Sequence, residues 1–527
     1  MTTGGMRGLL LWVAIAGAAT MTVELSAVRM ISPWFGASSG VWTNVIGVIL
    51  LALALGYLVG ARAASRAHLG PPLVIALGGA ALFTALLPLL VAPVCGWFMP
   101  ANLPLEDAGA LFGWGSLAAT AALFLLPALA LGTVGPLAVE IASRSGLRPG
   151  VAGGQVLCAS TLGSLVGTFA TTHVLLPDLG VARTASLASL ALGAGALALA
   201  AKARKRSLAG LVLLVGLAAL GLRAPARPAL PAGMHLLEAR ESSYQTSRAV
   251  ADRRGEEELR VLQVNEGLDS FQSVWRSQKG PLGPGYYYDA FALPAWWSER
   301  REGTWNVAVL GLGAGSTFRV LEGALPPELQ LTMIGAEIDA EVVALGQRWF
   351  ELPVSNPDQR VVSGVDARSA LRTWPGPFDE IVLDAYAHQT EIPAHLCSRE
   401  AMVEMRQKLA DRGWLAINVG GFSIEDPLVR AVAATASSAF DSPVLVLHVG
   451  GSRNFAIFAR RGAAIVDPAA EASARPTAAL MHLWGPAQLP SGAWTMDASC
   501  GVVLTDDLNP SDALQRQSLS EARDARS

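Results

Sequence analysis

The chain contains few of the residues that build metal sites and disulfide frameworks. Among its 527 residues there are 4 cysteines and 7 histidines. The cysteines (Cys95, Cys158, Cys397 and Cys500) are far apart, and two of them lie in apolar stretches. Their spacing matches neither a zinc site nor a disulfide pattern, and the histidines are equally dispersed. We therefore expect no bound metal.

Charged residues are also scarce, and they are unevenly distributed. They make up 15% of the chain. Residues 1–230 carry 13 Lys and Arg against 5 Asp and Glu, a net charge of +8, whereas residues 231–527 carry 26 against 37, a net charge of −11. Such asymmetry between the two parts of a chain indicates that they occupy separate environments.

Long apolar runs without charge dominate the first part. They span about residues 8–23, 41–61, 69–94, 112–139, 151–177, 184–201 and 207–222. Most of them reach the roughly 18 residues that are needed to cross a bilayer core. A cleaved signal peptide would explain the first run alone. Seven runs in succession predict a polytopic helical membrane domain, with about seven helices, over residues 1–224.

Basic residues in alternate loops predict the orientation of this domain. Arg62 and Arg66, then Arg144 and Arg148, then the cluster at 202–206 lie in alternate loops, while the loop near 95–111 carries only acids. Basic loops face the cytoplasm, so the N-terminus should lie there as well. If the short run 207–222 crosses fully, the second part lies outside the cell. That run can instead lie in the membrane interface.

The second part of the chain shows strand and helix patterns. Prolines in residues 225–234 predict a linker, and short alternating segments in 235–300 predict a small antiparallel β unit. In residues 301–515 strands alternate with helices, which predicts a Rossmann-like α/β domain with a parallel sheet. The predicted parallel strands are 306–311, 331–337, 360–363, 379–384 and 413–419, with a closing hairpin at 444–449 and 454–459. Residues 516–527 predict a frayed polar tail.

The clearest sign of a ligand site is a glycine-rich turn after an apolar strand pattern. Gly311, Gly313 and Gly315 precede a helix pattern, and alternate glycines let the backbone turn sharply close to a ligand. About 24 residues after Gly313, Glu337 or Asp339 falls where a ribose diol would be bound. The Gly-x-Gly-x-Gly spacing suits an S-adenosylmethionine-type ligand better than a dinucleotide, whose pyrophosphate favours Gly-x-Gly-x-x-Gly.

Several short blocks of the second part resemble the spermidine synthase family, the polyamine aminopropyltransferases. In chain order the blocks are Glu241-Ser242-Ser243-Tyr244, Tyr287-Tyr288-Asp289, the glycine loop, Glu337-Ile338-Asp339, Asp366-Ala367-Arg368, Phe378 to Asp384, and Ile392 to Leu396. They extend over about 270 residues. The preceding helical part and the late Leu504-Thr505-Asp506-Asp507 resemble the membrane-fused subgroup of that family.

The resemblance implies a nucleoside site that binds decarboxylated S-adenosylmethionine, or S-adenosylmethionine, as co-substrate. Glu337 would bind the ribose hydroxyls, and Asp366 with Ala367 would meet the adenine amino group. Asp339 belongs to the same ligand-binding set. Gln272 would lie beside the sulfonium.

The resemblance also implies where the chemistry occurs. Asp384 would stand in the place of the catalytic acid, and Tyr288 beside it would be catalytic as well. We also expect Asp289, His388 and Glu391 to bind the amine substrate, in place of acids that the family has and this chain lacks. The general chemistry agrees, because aminopropyl transfer needs a neutral amine in line with the methylene next to the sulfonium, and a carboxylate can orient that amine and remove its proton.

Two family acids are missing. The family carries an aspartate inside the glycine loop, where it holds the aminopropyl ammonium, and this chain has Ala314 there. The family carries a second aspartate three residues after the catalytic one, and this chain has Ala387 there. The fold should therefore transfer from the family more safely than the substrate.

Three functions remain open at this point. The first is aminopropyl transfer to a polyamine acceptor such as putrescine, and the second is methyl transfer from S-adenosylmethionine to an amine or a lipid. The third is a transporter or sensor that binds a polyamine or nucleoside without turnover. Because the sulfonium ligands are made inside the cell, we favour a multi-pass inner-membrane protein whose second part is cytoplasmic. The expected partners are a small amine and the lipid bilayer, with no nucleic acid; a homodimer is compatible with the sequence.

Overall fold

The computed structural model describes residues 3–36, 38–99, 105–200, 210, 215–222, 230, 232–242, 244–253, 257–264, 272–300, 302–386, 392–462, 476–485 and 492–524. Two compact units separate by their contacts, one built mainly from residues 1–229 and the other mainly from residues 230–527. Most of the predicted linker 225–234 and much of the apolar run 207–222 lie outside the described residues. The basic cluster at 202–206 lies outside them too.

The first unit consists of long apolar helices. They are α1 (Thr3–Phe35), α2 (Ser39–Ala64), α3 (Gly70–Phe98), α4 (Leu105–Arg144), α5 (Pro149–Ala170) and α6 (Leu176–Leu199). Within the described part of the chain, five helical runs are long and apolar enough to cross a membrane: Gly5–Phe35, Ser39–Ala64, Gly70–Phe98, Gly113–Arg144 and Pro149–Leu199. The predicted runs 151–177 and 184–201 are thus parts of one helical run. A π-helical turn (Thr171–Leu175) joins its halves, and Gly180 interrupts it with φ 74°.

Glycines let the helices of this unit approach one another closely. A side chain at Gly163 or Gly167 of α5 would collide with the backbone of α1, and one at Gly56 or Gly60 of α2 would collide with the backbone of α4. Small residues at such crossings are typical of packed helices in membranes. This packing agrees with the composition of the first part.

The second unit begins with the predicted small β unit. Its strands are β1 (Met234–Glu241), β2 (Thr246–Asp252), β3 (Leu259–Val264) and β4 (Ser273–Trp275), and they form one sheet in the order β1-β2-β3-β4. The pairs β2/β3 and β3/β4 are antiparallel. A short 3₁₀ turn (Tyr287–Ala292) and helix α7 (Leu293–Trp297) follow.

An eight-stranded sheet forms the rest of this unit. Its strands are β5 (Gly303–Leu310), β6 (Leu329–Glu337), β7 (Gln359–Ser363), β8 (Phe378–Leu383), β9 (Leu409–Gly420), β10 (Val444–His448), β11 (Asn454–Arg460) and β12 (Ala493–Met496). They lie in the order β12-β10-β11-β9-β8-β5-β6-β7. The strands from β7 to β9 are parallel to one another, whereas β9/β11, β10/β11 and β10/β12 are antiparallel.

Helices connect these strands and cover both faces of the sheet. They are α8 (Ser316–Ala324), α9 (Ala340–Trp349), α10 (Ala367–Thr373), α11 (Arg399–Lys408), α12 (Pro427–Phe440), α13 (Met481–Trp484) and α14 (Ser511–Asp524). Alternate residues of β5 enter different apolar cores, with Val307 and Val309 on one face and Ala308 and Leu310 on the other. A sheet that is buried on both faces confirms the predicted Rossmann-like α/β fold.

Two elements differ from the predictions. Strand β12 pairs with β10 where no strand was predicted. The prediction of a frayed tail over residues 516–527 is corrected, because α14 is helical as far as Asp524. The hydroxyl of Ser518 donates to Asp426 of the α12 cap at 2.7 Å, and Leu519 is buried. The helix was not predicted because most of its residues are polar and only a narrow face of it is packed.

Candidate active site

The glycine loop joins the carboxyl ends of three parallel strands. The amides of Gly311 and Leu312 donate to the carbonyl of Ala336 at the end of β6, at 3.1 and 2.9 Å. The amide of Asp384, just after β8, donates to the carbonyl of Leu310 at 2.9 Å. Gly311 has φ 91°, and a Cβ there would lie 2.5 Å from the Cα of Ala385. The loop therefore needs glycine at this position, and it lies between the two strand ends that carry acids.

Glu337, at the end of β6, supports the loop with its carboxylate. One oxygen (Oε2) accepts a hydrogen bond from the Gly313 amide at 2.9 Å, and the other (Oε1) accepts one from the Asp339 amide at 3.0 Å. Burial raises the pKa of Glu337 to about 7. Each carboxylate oxygen can accept a second hydrogen bond, so both remain able to bind the hydroxyls of a ribose diol.

Asp384, at the end of β8, is the second acid at this edge. Its Oδ1 accepts a hydrogen bond from Nδ2 of Asn418 at 2.9 Å, and the side chains of Asn418 and Tyr287 lower its pKa. Burial raises the pKa of Asp384 to about 7, and the negative charge of Glu337 contributes to the increase. The backbone contacts place both carboxyl groups beside the glycine loop, at the same edge of the sheet.

The rings of Tyr287 and Tyr288 are in contact within the 3₁₀ turn, with centroids 4.1 Å apart and planes tilted by 32°. Both side chains are buried. Burial and the charge of Asp384 raise the pKa of both phenols above the ordinary value. They therefore stay protonated at neutral pH, and they can donate hydrogen bonds but cannot serve as bases. The predicted catalytic residue was Tyr288, whereas Tyr287 is the tyrosine whose side chain lowers the pKa of Asp384.

Asp289 is fully buried and holds a neighbouring loop. Its two oxygens accept hydrogen bonds from the amides of Leu282 and Gly283, each at 2.7 Å. Burial raises the pKa of Asp289 to about 6. These contacts shape the backbone ahead of the tyrosines. The substrate-binding role of Asp289 stays a prediction.

Asp339 and Asp366 both cap helices at the same edge of the sheet. Asp339 accepts a hydrogen bond from the Glu341 amide at 3.0 Å at the start of α9. Asp366 accepts one from the Ser369 amide at 2.9 Å at the start of α10, and His395 Nε2 lies 2.8 Å from its other oxygen. Burial raises the pKa of Asp366, but these two partners lower it more, so its pKa lies below the ordinary value. Asp366 is therefore ionised at neutral pH.

Two exposed apolar side chains flank these acids. Ile338 follows Glu337 and Val365 precedes Asp366, and they are 38% and 36% exposed. The pairing of β6 with β7 brings the two segments together, because the Gly364 amide donates to the Glu337 carbonyl at 2.9 Å. Exposed apolar groups beside polar ones suit the faces and edge of a planar base.

Strand β4 packs against the other side of the glycine loop. The Ala314 amide donates to Oγ of Ser273 at 2.8 Å, and the Gln272 amide donates to the Leu262 carbonyl at 2.7 Å. The backbone oxygen of Gln272 would lie 3.3 Å from a Cβ built on Gly313. Gln272 is thus adjacent to the loop, while Ala314 supplies no charge there. The predicted substrate residues His388 and Glu391, and Ala387 with them, lie outside the described residues.

Asp506 forms an ion pair with Arg368, which also donates to the carbonyl of His395 at 2.9 Å. Arg368 donates to both oxygens of Asp506, at 2.8 and 2.9 Å, and Ser398 Oγ donates to one of them at 2.5 Å. Arg368 also donates to Glu404 at 2.8 Å. Bidentate pairing of this kind fixes the late segment onto α10 and α11. No group of three or more His, Cys, Asp or Glu that could hold a metal occurs among the residues with described positions.

Asn418 and Tyr386 are site residues that the sequence reasoning missed. The Tyr386 hydroxyl donates to the Asn418 carbonyl at 2.9 Å and accepts from the Gly420 amide at 3.0 Å. Asn418 lies near the carboxyl end of the predicted strand 413–419. Ligand-binding residues of parallel sheets gather at this edge. A polar residue near the end of that apolar strand was the available signal.

No protein-family model matches the chain. A polyamine aminopropyltransferase from Vibrio vulnificus is 34% identical to it over 116 residues, which are 21% of this chain and 37% of that protein. The match thus spans little more than a third of the relative's length.

Solved structures were also compared. A probable spermidine synthase from Corynebacterium glutamicum gives a TM-score of 0.41 at 19% identity and covers 53% of this chain and 97% of its own. A spermidine synthase from Thermotoga maritima gives a TM-score of 0.35 at 16% identity, and the match covers 45% of this chain and 75% of that one. A spermidine synthase in complex with the transition-state analogue AdoDATO gives a TM-score of 0.34 at 15% identity, and the match covers 45% of this chain and 74% of that one. Over 116 residues this chain is homologous to a transferase, the polyamine aminopropyltransferase.

Proposed function

We propose that the second unit transfers an aminopropyl group from decarboxylated S-adenosylmethionine to an amine such as putrescine. The observation that carries the proposal is the pair of coupled carboxyl groups, Glu337 and Asp384, on either side of the glycine loop. One can bind the ribose and the other can meet the reacting amine. The homology to an aminopropyltransferase supports the same reaction.

The nucleoside would bind along the ends of β6 and β7. Glu337 would accept hydrogen bonds from the ribose hydroxyls, and the ionised Asp366 would accept one from the adenine amino group. Ile338 and Val365 would contact the base. This arrangement would fix the sulfonium near Gly313 and turn its reactive methylene toward the end of β8.

Asp384 would orient the amine and take its proton. The amine nitrogen forms a bond to the methylene carbon, the carbon–sulfur bond breaks, and its electron pair stays on the sulfur of methylthioadenosine. The proton lost by the nitrogen passes to Asp384. A pKa of about 7 suits this role, since the group is partly ionised at neutral pH and holds a proton well. Tyr287 would keep the carboxyl group in place.

The helical unit would place this reaction at a membrane. Five helical runs of the described chain have the length and composition for that role. We propose a multi-pass protein of the inner membrane whose second unit faces the cytoplasm, where its net charge of −11 would attract cationic polyamines. Protease digestion of sealed vesicles tests this orientation. Protection of residues 231–527 in right-side-out vesicles is expected, and cleavage there would place the unit outside the cell.

The reaction is tested with the full chain in lipid nanodiscs. Calorimetric titration with both sulfonium ligands, followed by product analysis with putrescine, should show binding of the decarboxylated ligand and release of methylthioadenosine. Asp384→Asn should lower kcat by about 10²–10⁴-fold. Its affinity for the sulfonium should change little. Asp358→Asn, before β7 and away from the site, is the matched control and should keep full activity. An active Asp384→Asn protein would remove this residue from the mechanism.

Methyl transfer is the second candidate, because of Ala314. This residue leaves the glycine loop without the carboxylate that would bind an aminopropyl ammonium, and its amide is already bonded to Ser273. The same titration separates the two reactions. Tighter binding of S-adenosylmethionine, with a methylated amine or lipid as product, would replace the first proposal. Binding of either ligand without any product would favour the transporter or sensor.

A further inference from the structure

A second asparagine lies behind the residue that contacts Asp384. Nδ2 of Asn418 donates to Oδ1 of Asp384 at 2.9 Å, and Nδ2 of Asn454 donates to Oδ1 of Asn418 at 2.8 Å. Asp384 follows β8, Asn418 lies on β9 and Asn454 on β11, and these three strands are adjacent in the sheet. They form a linear chain of hydrogen bonds that ends at the carboxyl group.

The direction of this chain is fixed by the chemistry of the groups. An ionised carboxylate can only accept hydrogen bonds, whereas a carboxamide has a donating end and an accepting end. Because Asn454 donates to the oxygen of Asn418, the amino end of Asn418 must face Asp384. If that amide were reversed, two oxygens would face each other on the Asp384 side and two amino groups on the Asn454 side.

Backbone contacts hold both asparagines in place. The Tyr386 hydroxyl bridges the Asn418 carbonyl and the Gly420 amide at 2.9 and 3.0 Å. Asn454 begins β11 directly after the β10–β11 turn, where its amide donates to Ser452 Oγ at 3.1 Å and its carbonyl accepts from Val449 at 3.0 Å. The antiparallel hairpin therefore supports the parallel part of the sheet at the site.

We propose that Asn418 and Asn454 are positioning residues of the reaction: Asn454 orients the Asn418 amide, and Asn418 holds Asp384 toward the amine. The inference rests on the proposed function, in which Asp384 meets the reacting nitrogen. It gives the β10–β11 hairpin a role in positioning Asp384, which the segments that resemble the spermidine synthase family do not suggest. Hydrogen bonds to a charged group are stronger than those between neutral groups, so the contact favours the ionised form of Asp384.

The test measures the titration of Asp384 directly. Infrared spectra of the full chain in nanodiscs are recorded from pH 5 to pH 10, and the spectra of Asp384→Asn are subtracted to isolate the carboxyl stretch of this group. Glu337, Tyr287, Tyr288 and Tyr386 also surround the carboxyl, and they are unchanged in the variants. Asn418→Leu, which is nearly isosteric but cannot donate, should raise the midpoint by about one pH unit.

Asn454→Ala leaves the contact between Asn418 and Asp384 unaltered in sequence, so it tests the proposal even if Asn418→Leu does not fold. It should raise the midpoint in the same direction but by less, because Asn418 can then turn away. Asn356→Ala, in a surface turn, is the matched control and should leave the midpoint unchanged. With an active enzyme, Asn418→Leu should lose about fivefold in kcat at pH 7 and recover it at higher pH.

The infrared result separates this inference from the proposed reaction. Absence of turnover with either sulfonium would contradict the proposed function, yet the shifted midpoint would still show that Asn418 and Asn454 hold the carboxyl. An unchanged midpoint in both asparagine variants would overturn the inference, even if aminopropyl transfer were demonstrated. An unchanged pH profile in an active Asn418→Leu enzyme would overturn it too.

Discussion

Glu380 should make the stability of the second unit depend strongly on pH. Its side chain is fully buried in the middle of β8. Oε2 accepts a hydrogen bond from Nε1 of Trp305 at 3.1 Å, while Oε1 has no partner among the described residues. Burial raises the pKa of Glu380 to about 8, and the charge of Asp379 adds to the increase. Glu380→Gln keeps the shape and the acceptor for Trp305 but removes the ionisation.

The magnitude follows from the two pKa values. The carboxyl has an ordinary pKa of 4.5 in the unfolded chain and about 8 in the folded one. Between these values the folded protein holds a proton that the unfolded chain has lost, so the free energy of unfolding falls as the pH rises. A difference of about 3.5 units, at about 1.4 kcal/mol per unit, gives on the order of 5 kcal/mol. The contribution of Glu380 to the free energy of unfolding is fully present below pH 4.5 and is lost above pH 8.

The assay is urea unfolding of the full chain in nanodiscs, followed by near-ultraviolet circular dichroism at several pH values. The free energy difference between Glu380→Gln and the unmodified protein should increasingly favour the variant from pH 5 to pH 9. Glu328→Gln, at an exposed position, is the control and should show a flat difference. A Glu380→Gln difference that is equally flat would refute the reasoning, since it would mean that burial does not keep Glu380 protonated.

Three further outcomes are expected. Glu337→Ala should weaken sulfonium binding by at least tenfold in calorimetry, because both ligand-facing acceptors are lost. Gly313→Ala should also weaken it, since φ is 57° there and the new Cβ would lie 2.6 Å from Oγ of Ser273. Arg368→Ala should lower the free energy of unfolding by about 1.5–3 kcal/mol, because the hydrogen bonds of a buried guanidinium to partly exposed carboxylates are lost, whereas the exposed Arg372→Ala should have a smaller effect.

Each of these outcomes has a result that would contradict it. Unchanged sulfonium affinity in the Glu337 variant would place the nucleoside elsewhere. Full affinity in the Gly313 variant would show that the loop can move without harming the site. Equal destabilisation by the Arg368 and Arg372 variants would mean that the ion pair between Arg368 and Asp506 adds nothing to the stability.

Much of the α/β fold could be predicted because its strands are continuous apolar runs that end at turns. The predicted strand 331–337 is β6 (Leu329–Glu337), and the predicted strand 379–384 is β8 (Phe378–Leu383). Strand β12 was missed because it is short and only partly buried at the edge of the sheet. Its pairing with β10 depends on contacts distant in sequence, which a local pattern does not contain.

The site was predictable to the extent that its residues follow strands. Glu337 and Asp384 come directly after apolar strands, so their meeting at one edge of the sheet follows from the alternation of strands and helices. The role of Asn418 could not be found in this way, because it depends on a side-chain contact between neighbouring strands. The choice between Tyr287 and Tyr288 likewise depends on the rotation of a 3₁₀ turn.

The break at Gly180 decides how often the chain can pass through a bilayer. A continuous helix over Pro149–Leu199 has 51 residues and would be about 77 Å long, more than twice the roughly 30 Å of a hydrocarbon core. In a membrane, the non-helical backbone at Gly180, with Asp178 and Arg183 close by, would let this stretch reverse at the headgroups and traverse twice. Added to the four preceding helices, that makes an even number of passages, which would return residue 200 to the compartment that holds the N-terminus.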